Sequence, residues 1–421
     1  MSTILHVSET DAQVKPEVPR AAAPKLARPA WIMWAVFAAG IAASVLLRND
    51  SRSVTHEYAR AAMLWWQGHP MYTEGVHGFL YLPQAAMLYT PMTWLPDAAA
   101  EIIWRFVGLA LLVIGLRRMT GRFFESFADL AFLIATPLVI ISALGSAANG
   151  QTNIHLAALF ALCCVDLIDK KWWRVAIWLM LALACKPTAV VMILLVGAIY
   201  LRPMWWRMPI ALAVFAVLPF AHPNPAYVST QYRDCITKMS GASQPGDAFQ
   251  DIRGMLIEFG VVHVEKVAAT AEHAATVVQT PPESVLTFVR AIAALLTLGL
   301  CVIGARRFGD LGRAVILYTL GGIYLTLFNP RTEGLSYIIL GLPAALWSVR
   351  ELRDRRWWTA AFFIFFALST QFSTQIALKH KNYWVRPLGA AVFAALIVVE
   401  VSRRSSRWDQ RDRSTAPSAC G

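Results

Sequence analysis

A few charged side chains interrupt the apolar sequence at positions where they could bind an anion or accept a proton. Lys186, next to Pro187, lies inside an apolar run. An ammonium in hydrocarbon is costly, so Lys186 either faces a cavity and binds an anion or extends toward the membrane surface as a structural residue. Arg331 and Glu333 lie between two later apolar runs. They either pair with each other or supply a guanidinium that binds phosphate and a carboxylate that accepts a proton.

Polar residues also gather between other apolar runs. Gln151 and Asn153 belong to segment 149–153. That segment is either a simple turn or a source of hydrogen-bonding groups next to hydrocarbon, where unpaired polar groups are costly. Asp251 lies in a possible helix within the long polar segment 222–283. Its charge indicates either a solvated face or a binding group.

The segment after the first apolar run combines charges with aromatic residues. Ser53 or Thr55 is expected to cap a helix that Gly68 ends. Tyr58 and Trp65 share a face at helical spacing. An amphipathic helix of this kind would lie along the outer membrane surface. It would serve either as a lid on the bundle or as a platform for a polar substrate.

The elements that position these residues are membrane helices. Hydrophobic residues make up 57% of the 421 residues and charged residues 15%, against roughly 45–50% and 25% in soluble domains. This composition excludes disordered, coiled-coil, collagen-like and disulfide-scaffold proteins. Spans are predicted at about 12 places, namely 31–47, 99–117, 127–144, 154–169, 172–185, 188–201, 207–221, 284–305, 312–328, 336–349, 357–375 and 386–402.

The net charge of +12 is distributed as in a multi-pass membrane protein. Lys and Arg cluster in short segments between apolar runs, which favours cytoplasmic loops over a nucleic-acid surface. Both termini are therefore predicted to be cytoplasmic. The predicted organisation is a disordered tail at 1–30, a membrane domain at 31–402 with outer loops at about 49–98 and 222–283, and a cytoplasmic tail at 403–421.

Metal and nucleotide signatures are absent from the sequence. The six cysteines have no metal-ligand spacing, and no Gly-rich phosphate loop or nucleophile elbow occurs. No cofactor is therefore predicted, while a metal requirement stays open.

Several motifs in order resemble glycosyltransferase family 87, whose members include mycobacterial polyprenol-phosphate-mannose-dependent mannosyltransferases. These motifs are Tyr58, Ala61-Ala62, Gly68-x-x-x-Tyr72, Tyr81-x-Pro83, Gly150-Gln-x-Asn153 and Lys186-Pro187. The resemblance implies an all-α, membrane-embedded GT-C fold. It also implies inverting transfer of a sugar, here a mannose-like hexose, from polyprenyl phosphate to a lipid or glycan acceptor on the outer face of the plasma or inner membrane. The expected partners are the bilayer, this donor and this acceptor, without nucleic acid.

The resemblance also implies roles for individual residues. In the family an aspartate after the first helix is the usual base, commonly four residues before the tyrosine; here that position is Val54, and Asp50 is the first choice. The expected roles are base for Asp50, then Glu333, then Glu57; donor-phosphate binding for Arg331, Lys186 and Arg52; and substrate binding for Tyr58, Tyr72, Tyr81, Gln151, Asn153 and Asp251.

Two other functions compete with this interpretation. One is a transporter or flippase for lipid-linked sugars, and the other is a non-catalytic relative. Transporters tend to have repeated halves and ionisable residues near the middle of the membrane. This sequence shows no fixed-period repeat, and its polar residues gather at the predicted outer ends of the spans.

Overall fold

The computed structural model describes residues 26–47, 53–73, 78–241, 249–267, 276–376, 383–403 and 408. The described chain is almost entirely helical, which confirms the predicted all-α polytopic class. A single pair of antiparallel strands, His263–Val267 and Thr276–Thr280, occurs in these residues. The N-terminal tail up to residue 25 and most of the C-terminal tail lie outside the described residues, as do Asp50 and Arg52.

The described chain contains seventeen α-helices and two strands. In chain order they are α1 (Ala27–Leu47), α2 (Thr55–Gln67), α3 (Pro83–Tyr89), α4 (Asp97–Phe123), α5 (Ala128–Asn149), α6 (Asn153–Ile168), α7 (Trp172–Cys185), α8 (Val190–Ile199), α9 (Leu201–Met204), α10 (Arg207–Val217), α11 (Pro225–Gly241), α12 (Ile252–Glu258), β1 (His263–Val267), β2 (Thr276–Thr280), α13 (Glu283–Arg307), α14 (Asp310–Leu327), α15 (Ile338–Arg353), α16 (Trp357–Ile376) and α17 (Val385–Val401).

Each predicted span coincides with a helix in the described chain. Five helical segments there are long and apolar enough to cross a membrane: Ala27–Leu47, Asp97–Phe123, Glu125–Asn149, Glu283–Arg307 and Gly334–Arg353. Others are shorter than a full crossing, and α7 and α8 form a broken pair. The break follows from Lys186-Pro187, because a residue before proline is disfavoured in helical conformation. Lys186 is accordingly extended, with φ −159° and ψ 127°.

The core centres on α6, whose residues from Asn153 to Leu167 are all buried. The long helices α4, α5, α14 and α15 surround it with apolar side chains. α13 lies at the periphery, where Phe288 and Leu295 are exposed. An apolar face left open in a membrane protein is the expected surface toward lipid.

Helix α2 begins differently from the prediction. Its N-cap is Val54, and the hydroxyls of Ser53 and Thr55 lie 2.8 Å from each other. The Ser53 hydroxyl accepts hydrogen bonds from Arg105 Nη2 at 3.0 Å and from the Thr55 N–H at 3.5 Å, and no side chain caps the helix. Gly68 ends the helix in a left-handed conformation, as predicted.

At the end of α6 opposite Asn153, acidic residues form ion pairs with the basic clusters. Buried Asp166 pairs with Arg118 at 2.6 Å and Arg174 at 3.0 Å. At the same end of α4, Phe123 packs on the ring of Trp408, with centroids 5.3 Å apart. The described part of the C-terminal tail therefore lies at the same end of the bundle as the basic clusters.

Candidate active site

A cavity of about 610 Å³ opens where the first turn of α2, the start of α6, the α7–α8 break and the loop after α14 meet. Most of the predicted site residues line it, although they come from distant parts of the sequence. The residues brought together are Glu57, Tyr58, Tyr81, Gln151, Asn153, Lys186, Arg331 and Glu333.

A continuous hydrogen-bonded series crosses one wall of this cavity. Gln151 Nε2 donates to Glu333 Oε2 at 2.9 Å, and Asn153 Nδ2 donates to Gln151 Oε1 at 2.6 Å. Lys186 Nζ then donates to Asn153 Oδ1 at 2.8 Å and to Ser336 Oγ at 3.4 Å. Two amides thus fix a carboxylate and an ammonium on the same wall. Segment 149–153 is therefore more than a simple turn.

Gly150 makes this geometry possible at the end of α5. It adopts φ +73°, a left-handed conformation that favours glycine. A Cβ atom at this position would also lie only 2.6 Å from Thr55 Cγ2. The glycine therefore allows the turn that carries Gln151 and Asn153 to approach α2 closely.

Lys186 is a partly buried cation that faces the cavity. Burial lowers the pKa of its ammonium; the nearby Glu333 raises this pKa and Arg331 lowers it further. Its hydrogen-bond acceptors on the wall, Asn153 and Ser336, are neutral. A charge in such surroundings is favoured by an anion entering the cavity.

The loop after α14 holds Arg331 in an uncommon conformation. Its φ is +73°, which costs a residue with a side chain about 1–2 kcal/mol. The backbone N–H of Arg331 donates to Asp251 Oδ2 at 3.3 Å, and its guanidinium lies 5.5 Å from the ring centroid of Phe249. Such local strain persists where surrounding contacts fix it, often at functional sites.

Asp251 supports the cavity from behind instead of lining it. The side chain is fully buried and caps α12 by accepting from the Gly254 N–H at 2.9 Å. Burial raises the pKa of this carboxyl, while its backbone hydrogen bonds lower it. Its contact with the Arg331 backbone indicates that it positions the loop.

Tyrosines form another part of the wall. The hydroxyls of Tyr58 and Tyr81 lie 3.0 Å apart, and their rings meet edge to face at 5.3 Å. Tyr72 does not line the cavity; its hydroxyl donates to the Tyr81 carbonyl at 2.7 Å. The first two residues could contact a sugar, whereas Tyr72 supports Tyr81.

Glu57 reaches the cavity from the first turn of α2. Its carboxylate lies 3.3 Å from Arg60 and 3.5 Å from His56, and its side chain is 30% exposed. It is therefore a second cavity carboxylate besides Glu333 among the described residues. The remaining wall is largely apolar, with Leu80, Val190, Val191, Met239, Leu325 and Phe328.

The sequence of this chain matches glycosyltransferase family 87 over residues 79–330, more than half of its length. The chain belongs to glycosyltransferase family 87. No curated protein matches it. Family membership makes it a membrane glycosyltransferase, which acts in a lipid bilayer on lipid or glycan substrates. In this family-87 protein, Glu57 and Tyr58 precede the matched region and Arg331 and Glu333 follow it.

Sequence reasoning missed several residues that build this glycosyltransferase's cavity. Arg105 is buried on α4 and donates to the carbonyl of Ala147 at 3.0 Å and to Ser53. It therefore joins the end of α5 to the start of α2. Thr332 is buried and donates to the carbonyl of Asn329 at 3.0 Å. This bond stabilises the loop after α14, called the late loop below. Neither residue has a spacing that would have distinguished it.

Arg290 on α13 also lines the cavity and was not predicted.

Within the described chain, no group of three His, Cys, Asp or Glu residues could hold a metal ion.

Proposed function

We propose that the protein transfers a mannose-like hexose from a polyprenyl-phosphate donor to a hydroxyl of a lipid or glycan acceptor at the outer face of the membrane. The observation that carries the proposal is the wall on which Asn153 and Gln151 connect the Lys186 ammonium to the Glu333 carboxylate. It combines a cation for an anionic leaving group with a carboxylate for an acceptor hydroxyl.

The donor phosphate binds to Lys186, Arg331 and Arg52. When the bond between the sugar C1 and the phosphate oxygen breaks, its electron pair stays on the phosphate, whose negative charge increases. Cations fixed in advance stabilise that developing charge more than the ground state. The cavity position of Lys186 and Arg331 supports this role, and Arg52 lies outside the described residues.

The acceptor loses its proton to a carboxylate as its oxygen bonds to C1. Asp50 is the first candidate for this base, followed by Glu333 and Glu57. The presence of the latter two in the cavity supports a carboxylate mechanism. Direct displacement by the acceptor from the face opposite the phosphate inverts the configuration at C1.

The remaining substrate contacts divide between sugar and lipid. Tyr58, Tyr81, Gln151 and Asn153 bind the sugar or acceptor, and Tyr72 and Asp251 act through the residues they support. The apolar wall near Val190 and Phe328 receives the first prenyl units.

The site faces outward in this proposal, with both termini in the cytoplasm. The support is the position of the cavity at the start of α6, while Asp166 and the paired arginines lie at its other end. Basic clusters favour the cytoplasmic side.

The test uses the full-length protein reconstituted in liposomes with a polyprenyl-phosphate hexose and a lipid acceptor extract. We expect a glycosylated lipid whose anomeric configuration, determined by NMR, is inverted relative to the donor. Movement of the donor between leaflets without a product would instead identify a transporter. Neither product nor movement, in a sample that binds the donor, would identify a non-catalytic relative.

A further inference from the structure

Helix α13 brings a further cation to the cavity. Arg290 lies two turns after the start of this helix and lines the cavity, with its side chain 11% exposed. Its Nη1 donates to Glu283 Oε1 at 2.6 Å. The Glu283 carboxylate also accepts from Gln279 Nε2 at 3.3 Å and lies 3.5 Å from Arg253 Nη1. The acceptor for one side of the Arg290 guanidinium is therefore itself held in place.

The other side of this guanidinium has no acceptor within the described part of the chain. Nε and Nη2 of Arg290 are both buried and have no hydrogen-bond partner among the described residues. An unsatisfied buried donor is costly, and more so when it is charged. Nε and Nη2 form one edge of the guanidinium plane, which matches two oxygens of one phosphate. Both atoms are shielded from the cavity in this structure, so a bidentate anion reaches this edge once the guanidinium turns toward the cavity.

Arg290 lies where the polar cavity approaches lipid. Tyr324, which also lines the cavity, donates from its hydroxyl to the Arg290 carbonyl at 3.3 Å. On the same helix Phe288 is 66% exposed, in agreement with a lipid-facing surface. The apolar chain of a lipid-linked phosphate bound to Arg290 could therefore extend directly into the bilayer. This position favours a lipid-linked phosphate over a free soluble phosphate.

We infer that Arg290 binds the phosphate of the lipid-linked donor through its Nε–Nη2 edge, with Glu283 as its positioning residue. The inference rests on the proposed function and adds a specific phosphate contact on α13. During transfer the bond from C1 to the phosphate oxygen breaks, and the electron pair remains on that oxygen. The acceptor oxygen bonds to C1, and its proton passes to the carboxylate base. Arg290 stabilises the polyprenyl phosphate that leaves.

The test measures binding of polyprenyl phosphate and of uncharged polyprenol to the full-length protein in nanodiscs. Arg290→Gln is expected to weaken polyprenyl-phosphate binding on the order of 10- to 100-fold, with polyprenol binding unchanged. Arg290→Lys should lose part of this affinity because it keeps the charge but not the two-donor edge. Arg233→Gln is the matched control, since Arg233 is exposed on α11 and should bind like the wild type.

The outcomes separate this inference from the proposed function. Wild-type affinity in both Arg290 variants, with sugar transfer intact, would overturn the inference alone. Phosphate-dependent binding that needs Arg290, in a protein that transfers no sugar, would support the contact while contradicting the proposed transferase activity. If Arg290→Gln does not fold, Arg290→Lys and Glu283→Gln provide the same comparison. Equal loss of polyprenyl-phosphate and polyprenol binding would overturn a phosphate contact.

Discussion

The Nζ atom of Lys186 lies 2.8 Å from Oδ1 of Asn153, although 33 positions separate the two residues in the chain. This contact joins the break between α7 and α8 to the first residue of α6. Because α6 is the buried centre of the bundle, the contact fixes the ammonium relative to the core of the fold. Its acceptor is a neutral amide, so the positive charge remains available to an anion.

Loss of either cavity cation should weaken donor binding. Lys186→Ala or Arg331→Ala is expected to cost about 1–3 kcal/mol of binding free energy, the range for a hydrogen bond to a charged group. Titration of the reconstituted protein with the polyprenyl-phosphate donor measures this. Lys171→Ala is the control, because Lys171 lies outside the cavity, where its Nζ atom is 3.1 Å from Asp169 Oδ2. Unchanged affinity in both cavity variants would place the phosphate elsewhere.

Donor affinity should fall at alkaline pH. Burial lowers the pKa of Lys186 below its ordinary value of 10.5, so the free protein loses this charge earlier than an exposed lysine would. The charged form binds the phosphate; affinity is therefore retained below the folded pKa and lost as pH rises through it. Lys186→Arg should remove this dependence because arginine stays protonated. The same alkaline loss in that variant would assign the titration to another group.

A carboxylate beside Lys186 should compete with the donor. Asn153→Asp would pair with the ammonium and weaken donor binding by roughly tenfold, or about 1.4 kcal/mol. Asn224→Asp is a matched control: Asn224 Oδ1 accepts from the Tyr227 N–H at 3.1 Å, a role that aspartate fills equally well. Donor titration of both variants measures the difference. Equal affinities would show that Lys186 does not contact the phosphate.

The charge distribution predicts which side each end of the bundle faces. Ser229→Cys on α11 should react with a membrane-impermeant thiol reagent in intact cells, and Lys170→Cys only after permeabilisation. The native cysteines of the described chain are buried, and Cys420 is replaced by serine in both variants. Reversed labelling would invert the orientation and contradict an outward-facing site.

Much of the fold and several residues that line the cavity were predictable from the sequence because the bilayer constrains them. Apolar runs identified the helices, since hydrocarbon must surround them, and Lys186-Pro187 identified the break. The tertiary contacts were not predictable. Asp251 was expected to bind substrate, but its carboxylate holds the Arg331 backbone. Arg290 lies within a predicted span, and only the packing of α13 brings it to the cavity.

The identity of the base tests the account most directly. Transfer rate at saturating donor is compared for Asp50→Asn, Glu333→Gln and Glu57→Gln, with Glu258→Gln as an exposed control outside the cavity. A positioned base contributes roughly 10²–10⁴ in rate. We predict a loss of that size in Asp50→Asn, with folding and donor binding intact. Near-normal turnover there with loss in Glu333→Gln would move the base to the late loop, and turnover retained in all three would contradict a carboxylate mechanism.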